Sequence, residues 1–252
     1  MIYIDLDEIC EREDLILHLS FPKRSIEYAS RILDDLRSIG VESIAFIEAG
    51  GRLEPLTLGK GYRGLVLRGR LGGWDAALKI LRTDSTIPSL RGEAEATSMA
   101  NRVGVGPKVL GFTDMVLALE LIEGMPLDKW LGMLEEDRLS ELKIVMRVCF
   151  EDARRLDILG LDHGELSDVK KHVIVRPGLK PVIIDFGKAS FMRRPSNVTS
   201  LLNYFLFGPY SWKIKRMLGI EKPPLENARN YKIKLSDECF KRLMESLNLL
   251  EG

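Results

Sequence analysis

Short apolar stretches separated by glycine turns fill residues 41–82, and they constrain the fold more than any other part of the sequence. The stretches are Ser43 to Ile47, Thr57-Leu58, Leu65 to Leu67 and Ala76 to Leu81, and the turns are Gly50-Gly51, Gly59 to Gly64 and Gly72-Gly73. Runs this short, bounded by glycine, are typical of β-strands joined by tight turns. The sequence therefore predicts an antiparallel meander here.

Helical periodicity lies on both sides of this predicted sheet. Apolar residues at helical spacing begin at Ile26 and stop at Gly40, which sets residues 1–42 apart as an N-terminal helical accessory segment. Further helices are predicted up to Arg102, from Leu139 to Leu159, and from Ser236. A sheet with one helix, followed by a mainly helical region, is an α+β arrangement.

Charge and cysteine content exclude several classes of protein. The chain has 37 Lys plus Arg and 37 Asp plus Glu, so no global field attracts nucleic acid or a membrane. The region from Trp212 to Lys234 is locally basic with interleaved aromatic residues, which gives weak support for RNA contact. Three dispersed cysteines and the lack of a long apolar segment predict a cytoplasmic protein with no membrane partner.

A glycine-rich run lies inside the predicted meander. Residues 59–66 read G-K-G-Y-R-G-L-V, which fits the pattern G-x-G-x-x-G-x-V. Glycine allows the backbone to pass close to phosphate groups, because it has no Cβ, and the amides of such a turn attract negative charge. A dinucleotide-binding interpretation fits poorly, because a strand follows the glycines where that fold has a helix. A hairpin turn without a ligand is the alternative.

Lys79 lies in the apolar strand predicted from Ala76 to Leu81. Strand alternation places it on the same face as Ala77, and an ammonium in such a strand needs an anionic partner. Glu93 and Glu95 of the next helix are the candidates, and Glu93 is preferred because its helical face continues inward. A lysine that extends into solvent at a strand edge is the alternative.

A second polar group follows the next predicted strands. Asp185-Phe186-Gly187 comes directly after the apolar run from Val182 to Ile184, and a carboxylate at a strand end can hold a hard divalent cation. Upstream, residues 161–172 read L-D-H-G-E-L-S-D-V-K-K-H. The order of glycine turn, lysine, loop and Asp-Phe-Gly is much more specific than any one of these motifs.

With this set of motifs the chain resembles the protein kinase superfamily. It is most similar to the small atypical branch that contains RIO-type kinases and the kinase of the tRNA-modifying KEOPS complex. That branch has H-G-D-L in place of H-R-D-L and lacks an A-P-E segment, and its E-A-x5-A-x3-G-V helix is matched here from Glu93 to Val105. The resemblance covers residues 43–205.

The resemblance implies a bilobal protein kinase-like α+β fold. Residues 43–122 would form the N-lobe, a small antiparallel sheet with one helix, and residues 123–252 a reduced, mainly helical C-lobe. The implied ATP-binding residues are Gly59, Gly61, Gly64, Val66, Ala77, Lys79, Glu120 and Ile122. Lys79 would hold the α- and β-phosphates against Glu93, while Asp185 would bind Mg²⁺.

The implied catalytic carboxylate departs from the family pattern. Glu165 stands where the family has Asp, and its extra methylene displaces the acid by about 1 Å, enough to cost on the order of a hundredfold in rate. Asp162 and Asp168 are nearby carboxylates that could substitute for it. His163 is predicted to brace the loop by bonding backbone near Asp185.

The implied second metal ligand, an Asn in the family, is also missing. One register places Lys170 at that position, and a register with two inserted residues places His172 there, directly before the predicted strand Val173 to Val175. The second register is preferred because it reproduces the strand. Imidazole suits Mn²⁺ better than Mg²⁺. Either register leaves Lys170 or Lys171 to supply positive charge near the γ-phosphate.

Three functions remain open. The leading hypothesis is an atypical Ser/Thr protein kinase, which transfers the γ-phosphate of ATP to a hydroxyl group of a protein substrate. The second is a pseudokinase or nucleotide-gated adaptor, in which the change to Glu165 and the missing Asn have abolished catalysis. The third is a small-molecule kinase of the aminoglycoside or choline kinase type, because a reduced peptide-docking region also fits a metabolite acceptor.

Overall fold

The computed structural model describes residues 1–250, which divide into two compact units. The N-terminal unit consists of residues 1–98 and 107–121. The C-terminal unit consists of residues 99–106 and the chain from Ile122 onward. An α+β architecture is confirmed, with an antiparallel sheet in the N-terminal half and helices after it.

The N-terminal unit is built on one antiparallel sheet. Its strands are β1 (Ile2–Asp5), β2 (Val41–Ala49), β3 (Arg52–Pro55), β4 (Thr57–Lys60), β5 (Gly64–Leu71), β6 (Trp74–Leu81), β7 (Val109–Phe112) and β8 (Val116–Glu120). Six strands lie side by side in the order β1-β2-β5-β6-β8-β7. In addition, β3 pairs with β2, and β4 pairs with β5. The predicted meander is confirmed, because β5 and β6 form a hairpin at the centre of this sheet.

The helices of this unit are α1 (Leu6–Glu11), α2 (Glu13–Ile16), α3 (Ile26–Ser38) and α4 (Arg91–Arg102), of which α4 belongs to the unit up to residue 98. Along β6, Ala76, Leu78 and Ile80 are fully buried and share a core with apolar residues of α1, α2 and α3. Residues 1–42 therefore add an edge strand and three helices to the core of this unit.

The C-terminal unit is mainly helical. Its helices are α5 (Leu127–Met133), α6 (Leu139–Leu159), α7 (Asn197–Phe207), α8 (Ser211–Leu218), α9 (Leu225–Lys234) and α10 (Asp237–Ser246). The predicted bounds of α6 are confirmed, and Gly160 ends it in the left-handed conformation at φ 82°. Ser236 caps α10 as predicted, because its side chain accepts a hydrogen bond from the Cys239 amide.

A small sheet of three strands supports the loops of this unit. It contains β9 (Met125–Pro126), β10 (Val173–Arg176) and β11 (Lys180–Ile183) in the order β11-β10-β9. The strands predicted on both sides of residue 178 are thus confirmed, and they form a hairpin. Across residues 1–250, no helix combines the length and the apolar character needed to cross a membrane.

Candidate functional site

The glycine-rich run forms the turn between β4 and β5. The Gly61 amide donates to the Gly64 carbonyl at 3.0 Å, and Tyr62 at the tip is 94% exposed. A Cβ on Gly64 would lie 3.0 Å from Cγ of Lys79. Glycine at position 64 therefore leaves room for the lysine stem to cross β5.

The N-terminal segment braces this turn, a feature that the sequence analysis missed. The ring of Phe21 lies 4.1 Å below the Lys60 ammonium and 4.9 Å from the Arg82 guanidinium. Arg82 in turn donates to the Gly61 carbonyl at 2.9 Å and pairs with Asp84 at 2.7 Å. Cation–π and charge-assisted contacts of this kind hold the base of the turn in place.

Lys79 and Glu93 form a buried ion pair. The Lys79 ammonium lies 2.6 Å from Oε1 and 2.8 Å from Oε2 of Glu93, and the side chains are 11% and 3% exposed. Glu95 is exposed on another face of α4, so the pairing favoured by the helical pattern is the one observed. The pair anchors an ammonium on the strand that follows the glycine turn.

Val66, Ala77 and Glu120, which are also implied in base binding, lie on the same sheet. Val66 is directly opposite Lys79, and Ala77 is two positions before Lys79 on its face; both side chains are half-buried. Glu120 is the last residue of β8, and its amide donates to the Lys108 carbonyl at 2.8 Å. Ile122 lies in the irregular segment after β8. Their contact with adenine stays a prediction.

In the C-terminal unit, Asp185 adopts an unusual backbone conformation after β11. Its φ of 64° lies in the left-handed region, which non-glycine residues seldom occupy, although Asp does so more readily than most. The next residue, Phe186, is buried, and a Cβ on Gly106 would lie 2.8 Å from its ring. Strained conformations persist where packing enforces them and often mark functional sites.

His163 braces the loop, as predicted. It is fully buried, its Nε2 lies 3.1 Å from the Ile184 carbonyl, and its ring packs edge-on against Phe186. Burial lowers the pKa of His163 to about 4, although the bond to the Ile184 carbonyl opposes this shift. The imidazole is therefore neutral at pH 7, with Nε2 as the donor.

This burial predicts acid sensitivity. The pKa of His163 is about 4 in the folded chain and 6.5 in the reference state, so the unfolded chain binds the proton more readily. The contribution of the neutral imidazole to the free energy of unfolding is complete above pH 6.5. About 3 kcal/mol of it is lost as the pH falls towards 4. Urea unfolding at pH 7 and pH 4 should show a smaller pH effect for His163→Asn than for the wild type.

The pH effect on His163→Asn has to be compared with that on the wild type, because Asp152 changes the free energy of unfolding in the opposite direction as the pH falls. Burial raises its pKa to about 6, so its contribution increases as the pH falls from 6 towards 4. Asp152 is present in both proteins, so its effect cancels in the difference. Equal pH dependence of the two proteins would contradict the assignment of a neutral, buried His163.

Glu165 is engaged by cations. Its Oε1 accepts from the Lys188 ammonium at 2.7 Å and lies 3.9 Å from Nε2 of His172, and the Glu165 side chain is 22% exposed. Asp162, by contrast, is buried and accepts from Arg193 and from Ser196. Of these two carboxylates, Glu165 is the less buried.

The candidate residues for the missing Asn differ sharply in burial. Lys170 and Lys171 are exposed on a 3₁₀ turn, whereas His172 is buried edge-on against His163 and directly precedes β10. No group of three or more His, Cys, Asp or Glu side chains is placed to hold a metal ion within residues 1–250. A single carboxylate suits Mg²⁺, which keeps several waters and uses substrate phosphates as ligands. Asp185 fits that requirement, and ligation by His172 stays a prediction.

A buried polar network that the sequence analysis missed supports the loop. The Asn197 side chain accepts from the His163 amide at 2.8 Å and donates to Asp157 at 2.8 Å and to the Leu161 carbonyl at 2.7 Å. Asp157 also accepts from the Tyr231 hydroxyl at 3.0 Å. In the sequence, Asn197 stands only in an N-x-T pattern, and nothing local indicates this role.

Neither a scan against protein-family models nor a search of curated proteins found a match for this chain. Each unit, however, brings together side chains with a chemical role that can be tested. The N-terminal unit joins the glycine turn to the Lys79–Glu93 pair. The C-terminal unit joins Glu165 to Lys188 and supports the loop through His163.

Proposed function

We propose that this chain binds ATP with Mg²⁺ and transfers the γ-phosphate to a hydroxyl group of a protein, as an atypical member of the protein kinase superfamily. The observation that carries the proposal is the buried Lys79–Glu93 ion pair on the strand that follows a glycine turn. Burying two charges together seldom stabilises a fold more than apolar residues of the same size would. Such a pair is better explained by an ammonium held ready for an anionic ligand.

The glycine turn and Lys79 together suit a polyphosphate. Backbone amides of the turn supply partial positive charge, and Glu93 keeps the Lys79 ammonium in one position. The half-buried Val66 and Ala77 lie on the same face of the sheet and are small apolar groups that can pack together against one side of a purine. In the proposed complex, Glu120 and Ile122 contribute backbone groups to the adenine edge.

The C-terminal unit supplies the groups for transfer. Asp185 offers a hard oxygen ligand and has a left-handed backbone conformation directly before the buried Phe186. When bound there, Mg²⁺ would neutralise charge on the phosphate oxygens. The acceptor oxygen bonds to the γ-phosphorus while the bond from phosphorus to the β,γ-bridging oxygen breaks. ADP leaves with that electron pair, and Glu165 receives the hydroxyl proton.

A second candidate is a nucleotide-binding adaptor without catalytic activity. It is favoured by one observation: the Glu165 carboxylate already accepts from the Lys188 ammonium at 2.7 Å. Transfer of a proton to a carboxylate held in this way has to break a charge-assisted hydrogen bond. The two candidates share ATP binding and differ in phosphate transfer.

Thermal shift and phosphate transfer test the proposal together. ATP with Mg²⁺ at about a hundred times its dissociation constant should stabilise the wild type by roughly 2.7 kcal/mol. Lys79→Met and Asp185→Ala should each reduce that gain, because they remove a phosphate contact and a metal ligand. Lys241→Met, on a surface ion pair of α10, should not.

Transfer of labelled γ-phosphate then separates the candidates. Labelling of the chain or of an added protein acceptor, lost in Lys79→Met, supports the phosphotransferase. ATP binding without transfer under either Mg²⁺ or Mn²⁺ supports the adaptor. Absence of any ATP-dependent stabilisation in the wild type would contradict both.

A further inference from the structure

Lys188 is a cation in the C-terminal unit to which the motifs assign no role. It comes three residues after Asp185, and its ammonium lies 2.7 Å from Oε1 of Glu165. The Lys188 side chain is 57% exposed, compared with 22% for Glu165. The ammonium is therefore accessible to a ligand while it contacts the proposed proton acceptor.

The backbone of Lys188 is held firmly although its side chain is accessible. Its carbonyl accepts from Nη2 of Arg193 at 2.6 Å, and Nε of Arg193 donates to the buried Asp162 at 2.8 Å. Asp162 and Ser190 exchange backbone hydrogen bonds of 3.0 and 2.9 Å. These contacts fix the segment that carries Lys188 against the loop that carries Glu165.

Gly164 makes this close approach feasible. Its φ of 84° is in the left-handed region, and a Cβ there would lie 3.0 Å from the Lys188 carbonyl and 2.5 Å from Nη2 of Arg193. A side chain at this position would be strained by the positive φ and would crowd the Lys188 carbonyl. Glycine just before Glu165 thus serves to place Lys188 beside it.

The other lysines near the loop are less suited to the reaction. Lys170 and Lys171 lie exposed on the 3₁₀ turn, and neither forms an ion pair with any of residues 1–250. A freely rotating lysine loses more conformational entropy when it binds a ligand than one whose backbone and ammonium are already positioned. Of the three lysines, Lys188 is the one that the fold orients.

We propose that Lys188 is a catalytic residue that binds the γ-phosphate of ATP, in the role that the sequence pattern gives to Lys170 or Lys171. Because this inference rests on the proposed function, it concerns the same reaction. Without nucleotide, Lys188 pairs with Glu165. When the triphosphate is bound, the ammonium moves to a γ-phosphate oxygen, which frees the Glu165 carboxylate to take the proton of the acceptor hydroxyl. The lysine then stabilises the charge that the transferred group carries.

The test compares ATP with ADP, because only ATP has a γ-phosphate. Thermal shifts with each nucleotide and Mg²⁺ are measured for the wild type, Lys188→Met, Lys188→Arg and Lys170→Met, with Lys241→Met as the control. Lys241 is likewise an exposed lysine paired with a glutamate, Glu245 at 3.8 Å. The difference between the ATP and ADP shifts reports the γ-phosphate contact independently of catalysis.

We expect Lys188→Met to keep the ADP shift, to lose most of the additional ATP shift, and to transfer phosphate about a hundredfold more slowly. Lys188→Arg should keep most of the additional shift, because guanidinium also binds phosphate. Lys241→Met should match the wild type, and Lys170→Met should keep the additional ATP shift. The retained ADP shift shows that the variant is folded, and if Lys188→Met does not fold, Lys188→Arg and Lys170→Met decide.

The outcomes separate this inference from the proposed function. A wild type that binds no ATP contradicts the function and, with it, the role of Lys188. A wild type that binds ATP and transfers phosphate, beside a Lys188→Met variant with the same ATP-minus-ADP shift and rate, contradicts the role of Lys188 alone. If Lys170→Met loses the ATP-minus-ADP shift instead, the γ-phosphate contact belongs to Lys170.

Discussion

Lys79→Met should lower the free energy of unfolding by about 3–5 kcal/mol, which is large for one substitution in a domain of this size. The cause is Glu93, whose side chain is 3% exposed and whose two oxygens both contact the Lys79 ammonium. Methionine keeps the length of the side chain but leaves the carboxylate without this cation in a buried position. Urea unfolding of the nucleotide-free chain measures the loss.

The double variant Lys79→Met/Glu93→Leu tells stability and function apart. Two apolar residues of similar size remove both buried charges, so most of the lost free energy of unfolding should return. The ATP-dependent thermal shift should not return, because the phosphate contact is still missing. The surface pair Lys241–Glu245 serves as the matched control, and Lys241→Met should change stability little.

Recovery of the ATP shift along with stability would mean that the buried pair only supports the fold. In that case Lys79 would not contact the bound nucleotide. A double variant as unstable as Lys79→Met would instead show that the surrounding core cannot accept apolar groups at these positions. The first result contradicts the role of Lys79 in ATP binding, and the second contradicts only the expected recovery of stability.

Local sequence patterns predicted most strands of residues 41–82, the hairpin around residue 178 and the long helix, and they favoured the Lys79–Glu93 contact. Two-residue alternation along β6 places Lys79 on the face away from Leu78, and the face of α4 selects Glu93 over the exposed Glu95. Both inferences use residues within one element. The direction of a side chain within one strand or one helix can be predicted from the sequence, because it follows from the two-residue or 3.6-residue repeat of that element.

The contribution of the N-terminal segment could not be predicted in this way. Strand β1 pairs with β2 across some forty residues, and the Phe21 ring reaches the base of the glycine turn. Four residues such as Ile2–Asp5 carry too short a pattern to specify a partner strand. The role of residues 1–42 follows from tertiary packing, which no local period encodes.

The partners of Glu165 were missed for a similar reason. Lys188 and Arg193 lie in a basic stretch after Gly187, where the sequence suggests only a charged surface loop. Their contacts with Glu165 and Asp162 span 23 and 31 residues. A lysine without a partner and a lysine that pairs with a distant carboxylate look alike in sequence. Only the folded loop distinguishes them.

The loop that presents Glu165 depends on a single buried amide. Asn197, which is 1% exposed at the start of α7, satisfies the His163 amide, the Asp157 carboxylate and the Leu161 carbonyl at once. It therefore ties α7 to the end of α6 and to the loop that follows. A change there acts on the fold and on the placement of Glu165 together.

Asn197→Asp should destabilise the chain by about 4 kcal/mol or more, exceeding the loss expected for Asn197→Ala. The introduced carboxylate can still accept from the His163 amide. Its other oxygen, however, would face the Asp157 carboxylate and the Leu161 carbonyl, where the amide nitrogen now donates to both. Alanine removes these bonds without adding a buried charge. Chemical unfolding at pH 7 ranks the two variants.

Acidification should partly rescue Asn197→Asp and not Asn197→Ala. Burial already raises the pKa of Asp157, so two adjacent carboxyls would share a proton at mildly acidic pH, and the protonated one would donate as the amide does. Asn203→Asp, at an exposed position on the same helix, is the matched control. If Asn197→Asp is no less stable than Asn203→Asp at pH 7, or shows no recovery near pH 5, the buried amide does not hold the loop in the way its three hydrogen bonds indicate.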